Sequence, residues 1–265
     1  MTAPFGRRAA AVIARETHGA YVVIRAQDPA ASVPRPGQFY MLASAERWGG
    51  GEGERPFLPR AFSVLRASHG ELHFLIEDVG PGTNRLCELG PGEELLLVGP
   101  LGNGFTAPRD GRKPLLVGGG VGIAPLAIWQ DELEPQAPAL LGFRDAAHAA
   151  GAGLLSRATV ATDDGSIGHH GLVTELLEDE LDERSEALEV YACGPPAMLE
   201  AVRAACVRRE VPAQLALESG MACGFGACFG CVVPTVDGYV RLCVDGPVLE
   251  AGRLGTALAL AGSGH

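Results

Sequence analysis

The stretch Pro114-Leu115-Leu116-Val117-Gly118-Gly119-Gly120-Val121-Gly122-Ile123-Ala124-Pro125 decides the architecture of this chain. A short apolar run bounded by glycines reads as a buried strand, and the residues from 124 to about 132 read as a helix. The glycines between them form a strand-to-helix turn. Such a turn presents free N–H groups and the positive end of a helix dipole, which suits a pyrophosphate. The glycines stand at Gly118, Gly119, Gly120 and Gly122 rather than in a full G-x-G-x-x-G pattern. On these residues alone a plain tight β–α connection stays open as the second reading.

Working outward toward the C-terminus, further strands are predicted over 139–143, 158–162, 188–192 and 214–217. Helices are predicted over 173–179 and about 197–209. Strands alternating with helices imply a doubly wound parallel sheet. Cys193-Gly194-Pro195-Pro196 forms a second glycine turn at the carboxyl end of a strand, where ligands of open parallel sheets bind. Cys193 either faces that ligand or packs at the strand end. His169 and His170, in a glycine-rich stretch without metal-ligand spacing, read as exposed loop residues.

Toward the N-terminus the pattern differs. Short Val-, Leu- and Phe-rich strands are predicted over 9–15, 21–26, 39–43, 61–66, 72–77 and 94–98. Turns such as Pro36-Gly37, Gly80-Pro81-Gly82 and Gly90-Pro91-Gly92 separate them. Six such strands can close into an antiparallel barrel without exposed edges. The Gly- and charge-rich residues 49–54 read as a mobile loop.

The last part is dense in cysteine. Cys223, Cys228 and Cys231 have the C-x4-C-x2-C spacing of plant-type [2Fe–2S] ligation, and Cys243 follows as the fourth thiolate. Glycines between them let backbone N–H groups approach anionic sulfurs. The competing reading is a structural four-Cys zinc site, although zinc favours paired C-x2–4-C knuckles. A hairpin is predicted over 232–236 and 239–244 around Asp237-Gly238. Residues 251–265 read as a flexible tail. Cys87 and Cys206 read as small buried hydrophobes.

The 265 residues suffice for more than one core. The fold class expected is α+β multidomain. It comprises an N-terminal antiparallel β-barrel (1–108), a doubly wound parallel α/β dinucleotide domain (109–217) and a small C-terminal [2Fe–2S] subdomain (218–250). The formal net charge of -11 disfavours a nucleic-acid partner. No apolar run approaches a membrane span, and no signal peptide is evident, so a cytoplasmic location is expected. Seven cysteines, an odd number, fit a disulfide framework poorly and suit a reducing compartment.

Chemistry links the two candidate sites. A nicotinamide gives up two electrons as hydride, whereas a [2Fe–2S] cluster takes one at a time. A flavin handles both, so a chain with both sites calls for a flavin between them. Arg60-Ala61-Phe62-Ser63 at a strand start and Gly80-Pro81-Gly82-Thr83-Asn84 could clamp its phosphates.

Several stretches together resemble a known family. They are Arg60 to Ser63, Gly82-Thr83, 99–104, 118–125, 162–168, Cys193-Gly194-Pro195 and Glu218-Ser219-Gly220-Met221-Ala222-Cys223 through Cys231. The order of barrel and dinucleotide unit resembles the ferredoxin–NAD(P)H reductase superfamily. The closer resemblance, over about 9–250, is to the electron-transfer subunits of two-subunit, NAD-dependent dihydroorotate dehydrogenases.

That resemblance implies FAD, NAD(H) and a [2Fe–2S] cluster as cofactors. Arg60, Ala61, Phe62 and Ser63 would lie along the flavin, and Leu75, Ile76, Glu77, Gly82 and Thr83 along its adenosine and pyrophosphate. Gly118, Gly120 and Gly122 would serve the nicotinamide dinucleotide, with Cys193 beside the nicotinamide as the catalytic residue. The partner implied is an FMN-containing dihydroorotate dehydrogenase catalytic subunit, two copies of each chain, acting in pyrimidine biosynthesis. A related reductase serving a hydrogenase, a transhydrogenase or a ferredoxin is the alternative. This chain has Arg60-Ala61 where the family has Arg-Pro. Arg144 and Asp145 leave the choice between NADH and NADPH open, since one suits a 2′-phosphate and the other a ribose hydroxyl.

Overall fold

The computed structural model describes residues 6–30, 32–49, 56–183 and 186–258. Apart from Gly49, the predicted 49–54 loop lies essentially outside the described residues, as does the tail from 259 onward.

The first strands are β1 (Arg8–His18), β2 (Tyr21–Gln27), β3 (Phe39–Ser44), β4 (Arg60–Ser68), β5 (Glu71–Glu77) and β6 (Glu94–Leu101). They close into an antiparallel barrel in the order β1-β2-β5-β4-β3-β6. Alternation places one face of β6 inside: Leu95, Leu97, Gly99 and Leu101 are buried, and Leu96, Val98 and Pro100 between them are more exposed. A short helix, α1 (Pro81–Cys87), bridges β5 and β6 where the sequence suggested only a glycine turn. Pro81 suits its first turn because a helix start needs no N–H there.

The second unit runs β7 (Lys113–Gly119), α2 (Ile123–Glu132), β8 (Ala139–Phe143), α3 (Ala146–Ala149), β9 (Ala158–Thr162), β10 (His169–His170), α4 (Val173–Glu183), β11 (Leu188–Cys193), α5 (Pro196–Arg208) and β12 (Ala213–Ala216). It is followed by β13 (Val232–Thr235), β14 (Gly238–Arg241), α6 (Leu242–Asp245) and β15 (Val248–Glu250). The main sheet has the order β10-β9-β8-β7-β11-β12-β15. All its pairs are parallel except β12 with β15. The central strands are largely apolar because helices cover both faces; every residue of β11 is buried, Glu189 included.

Helix α2 explains how the two units hold together. Ile123 to Gln130 are all buried. Leu126 and Ala127 belong to the core under the sheet, whereas Ile128 belongs to the barrel core. A helix that is apolar all round must be covered on all sides. Beside it, Gln214 and Glu189 satisfy each other and the crossover chain. Gln214 Nε2 donates to Glu189 Oε1 at 2.9 Å, Thr106 N donates to Gln214 Oε1 at 2.9 Å, and Arg109 N donates to Glu189 Oε2 at 2.8 Å.

Four expectations need correction. The sheet does not end near 217: β15 adds an antiparallel edge after the cysteine segment. The second hairpin strand stops at Arg241, and Cys243 sits in the single turn α6, which Gly246-Pro247 cannot continue. His169 and His170 pair with β9 as an edge strand, and His169 Nε2 lies 2.6 Å from Glu175. The tail is not free from 251. Ala251, Leu254 and Ala257 are buried, and the Glu200 carboxylate accepts from Thr256 Oγ1 at 3.1 Å and Ala257 N at 2.5 Å.

Candidate functional site

A groove of about 690 Å³ runs between the barrel, α2 and the cysteine segment. Its walls include Arg60, Ala61, Phe62 and Ser63 of β4, Leu75 and Glu77 of β5, Thr83, Ala124, and then Glu218 to Ala222 and Gly230. Ile76, grouped with its neighbours on sequence, instead points into the barrel core. Gly82 lies beneath Arg60: a Cβ there would meet the Arg60 Nε at 2.8 Å. The guanidinium is further steadied by donating to the Leu58 carbonyl at 2.5 Å and by the Trp48 ring 5.8 Å from its Cζ. Thr83 Oγ1 accepts from Val79 N at 2.8 Å and donates to the Gly80 carbonyl at 3.0 Å. One cation, one hydroxyl and one glycine thus converge as an anion clamp would require. Ser219, on the opposite wall, has a shielded hydroxyl with no hydrogen-bond partner. The groove therefore fits a large ligand with an anionic part near Arg60 and a polar atom near Ser219.

The groove deepens at its inner end. Ala61 and Ser63 line this recess with Phe39, Cys193 and Glu218. Cys193 ends β11 and is 1% exposed. Burial first, and then the Glu218 carboxylate, hold its thiol well above the ordinary range, so it is a neutral group here. Glu218 is exposed where it lines both the groove and the recess, and desolvation by the surrounding protein pushes its carboxyl upward. Sequence reading placed Glu218 in a motif without giving it a role; no periodicity marks a polar residue just past a strand.

A second cavity of about 450 Å³ lies at the carboxyl edge of the sheet. Gly119 and Gly120 line it, with Gly142, Arg144, Asp163, Thr174, Pro195 and Met198. Of the predicted glycines, only Gly120 reaches it; its φ of 54° favours glycine, and the space where a Cβ would stand is open. Gly118 instead packs against Leu126 and Leu141, and Gly122 touches the Cys193 and Gly194 backbone, where a Cβ would come within 2.4 Å of the Cys193 carbonyl oxygen. Glu77 connects the two cavities. Its carboxylate takes a hydrogen bond from Arg144 and lies 3.2 Å from His148 Nε2, while His148 Nδ1 lies 2.6 Å from Asp145. Sequence reading weighed Arg144 and Asp145 but missed His148 as their bridge to the barrel.

The cysteines gather as two pairs. Cys223 and Cys228 share a side-chain hydrogen bond. Cys231 Sγ and Cys243 Sγ are 3.1 Å apart. Burial disfavours ionisation of Cys223, but the backbone N–H groups of Phe225, Cys228 and Ala227 and the Cys228 side chain outweigh it, and its thiol is lowered to about 7. Gly226 N–H points at Cys243, where burial prevails and the thiol is raised to about 12. Among the described residues no three ligand side chains converge on one ion position. Two thiolates for each of two irons match this pairing of the cysteines.

The family profile described as the iron–sulfur cluster binding domain of dihydroorotate dehydrogenase B matches residues 218–255. The electron transfer subunit of dihydroorotate dehydrogenase B (NAD(+)) from Clostridium acetobutylicum is 35% identical over 223 residues, covering 83% of this chain and 86% of that one. The corresponding subunit from Geobacillus kaustophilus is 38% identical over 238 residues, with 83% and 86% covered.

This chain belongs to the family of dihydroorotate dehydrogenase B electron transfer subunits.

A solved structure described as an NADH-dependent reduced ferredoxin-NADP oxidoreductase superposes with a TM-score of 0.79 at 26% identity, over 95% of this chain and 91% of the other. A ferredoxin reductase of carbazole 1,9a-dioxygenase shares the fold, with a TM-score of 0.65 at 24% identity over 78% of this chain and 66% of the other. For this member of the electron transfer subunit family, the barrel and parallel sheet are those of ferredoxin reductases, followed by an iron–sulfur binding segment.

Proposed function

We propose that this chain takes hydride from NADH onto FAD and passes electrons through a [2Fe–2S] cluster to a dihydroorotate dehydrogenase catalytic subunit that carries FMN. The observation that carries this reading is the continuity of one groove. Arg60 to Ser63, Ala124 of α2, and Ala222 and Gly230 beside the cysteine ligands line the same space. A ligand filling it touches the barrel, the dinucleotide unit and the cysteine segment at once.

When bound, FAD converts a two-electron donor into two one-electron steps, and the cluster relays them singly. The chain's own residues do the rest. Arg60 and Thr83 hold phosphate. Ser63, Ala61 and Cys193 shape the recess where nicotinamide and flavin would meet, and the neutral thiol adds no charge there. Glu218, with its raised carboxyl, can hold or give up a proton at that recess. Gly119 and Gly120 admit the dinucleotide backbone. Cys223, Cys228, Cys231 and Cys243 hold the cluster.

The units are taken as 1–108 for FAD, 109–217 for NAD(H) and from 218 for the cluster, the last extending past 250 because 251–258 pack in place. Phe225, Phe229, Val236 and Tyr239 are exposed around the cysteines and form the docking face. The assembly is two copies of each subunit, in the cytoplasm. The likeness to a ferredoxin-NADP oxidoreductase supports a second reading, in which a ferredoxin is the partner.

The deciding experiment is gentle purification of the untagged chain from its native cells. The expected result is a stoichiometric FMN-containing companion, with NAD(+) reduction by dihydroorotate only when both chains are present. A ferredoxin, a hydrogenase or no companion would overturn the assignment of the partner. A colourless, iron-free chain would overturn the cofactors as well.

A further inference from the structure

Arg241 ends β14, two residues before Cys243. Its backbone N–H donates to Asp245 Oδ2 at 2.8 Å, while its side chain turns back over the 223–231 loop. Nη1 donates to the Gly226 carbonyl at 3.0 Å, and Cζ lies 5.2 Å from the centre of the Phe229 ring. Phe229 holds a φ of 59°, so the loop turns sharply there and presents the ring to the guanidinium. Gly226, at φ 88°, leaves the room this approach needs. A Cβ there would meet Val244 Cγ2 at 2.7 Å and Arg241 Nη1 at 3.2 Å.

A trans peptide points its C=O and N–H in opposite directions. The carbonyl of Gly226 shares its peptide plane with the N–H of Ala227, which is one of the backbone groups that lower the Cys223 thiol. The guanidinium therefore holds the carbonyl end of a peptide group whose N–H end acts on Cys223. A cation on the carbonyl end polarises the group and strengthens donation at the other end. The potential of an iron–sulfur cluster responds to hydrogen bonds on its sulfurs and to nearby charge.

We propose that Arg241 is a positioning residue that raises the reduction potential of the cluster. It does so by fixing the Gly226–Ala227 peptide with its N–H on Cys223 and by placing one positive charge beside the loop. One electron enters the cluster, no bond breaks, and the reduced state carries one more negative charge; Arg241 favours that state. The inference rests on the assignment of the four cysteines as [2Fe–2S] ligands.

The test is an anaerobic redox titration of the full chain with its cofactors, following the electron paramagnetic resonance of the reduced cluster. Arg241→Gln is expected to shift the one-electron equilibrium toward the oxidised state about tenfold, or about 59 mV more negative. Arg241→Lys, which keeps the charge, is expected to stay within about threefold of wild type, and Phe229→Leu to fall between the two. A potential for Arg241→Gln within about twofold of wild type overturns the inference, as does a fall in Arg241→Lys as large as in Arg241→Gln. Should Arg241→Gln not retain its cluster, an unmoved potential in Phe229→Leu overturns it instead. A wild-type chain with no [2Fe–2S] signal sinks the underlying assignment; a wild-type signal that the variants leave in place sinks only the role of Arg241.

Discussion

Glu77, the last residue of β5, holds the Arg144 guanidinium that follows β8, so a barrel carboxylate occupies the cation at the mouth of the dinucleotide cavity. Glu77 is the more buried partner, with 18% of its side chain exposed against 59% for Arg144. Its loss leaves the cation free to move. In Glu77→Gln the freed Arg144 is expected to favour a 2′-phosphate. The ratio of kcat/KM for NADH over NADPH should fall about tenfold, which is about 1.4 kcal/mol. Steady-state diaphorase assays with both nucleotides check this, and an unchanged ratio would place Arg144 away from the adenosine ribose.

Gly122 supports the dinucleotide cavity by letting two turns touch. A Cβ there would lie 2.4 Å from the Cys193 oxygen and 2.6 Å from Gly194 N, both backbone atoms that cannot swing aside. Gly122→Ala is expected to raise KM for NADH at least several-fold and to cost about 1–3 kcal/mol of stability. Flavin content should be unaffected, because Gly122 lies outside the barrel groove. Parallel measurements of flavin stoichiometry and NADH kinetics separate the two effects.

Cys193 should stay a thiol throughout the physiological range. Its ionisation is raised by burial and by Glu218, so the neutral form persists as pH rises through the ordinary thiol value of 9.0. Iodoacetamide is expected to label it negligibly at pH 8. Cys193→Ala should slow hydride transfer without adding or removing an alkaline limb in the pH–rate profile. Stopped-flow flavin reduction between pH 6 and 9 would reveal a lost limb if the thiolate took part.

Glu200 ties the segment at 256–257 to α5. Hydrogen bonds from Arg203 first, then from Ala257 N and Thr256, lower its carboxyl from 4.5 to about 2. A lowered native value stabilises the fold above the unfolded value. That contribution is lost as pH falls from about 4.5 toward about 2. Because the pair is partly solvated, Glu200→Gln should cost only about 1 kcal/mol at pH 7. Denaturant melts of both chains should converge as pH approaches 3; a constant gap would assign the cost to packing.

The sequence made the barrel and most of the parallel sheet legible because period-two alternation and glycine turns are local signals. The spacing of Cys223, Cys228, Cys231 and Cys243 is likewise local. Ile76 shows a reading that alternation could have refined, since Leu75 and Glu77 share one strand face and Ile76 takes the other. β15 was hidden for a different reason. Val248, Leu249 and Glu250 are too few to show a period, and their partner β12 lies more than thirty residues earlier. Glu218 and His148 gain their roles only when the chain brings the barrel, sheet and cysteine segment together, which no window of sequence reports.

The pairing of β15 with β12 carries a consequence for how the molecule can be taken apart. The iron-binding segment leaves the sheet after β12 and returns to close it, so it cannot be detached like a bead on a string. A chain cut after 217 would expose the β12 backbone as an unprotected edge and would be prone to self-association. Grafting the segment onto another reductase would need that edge as its socket. An electron carrier tied into the sheet at both ends keeps a fixed place on the molecule, so the acceptor must dock at that place.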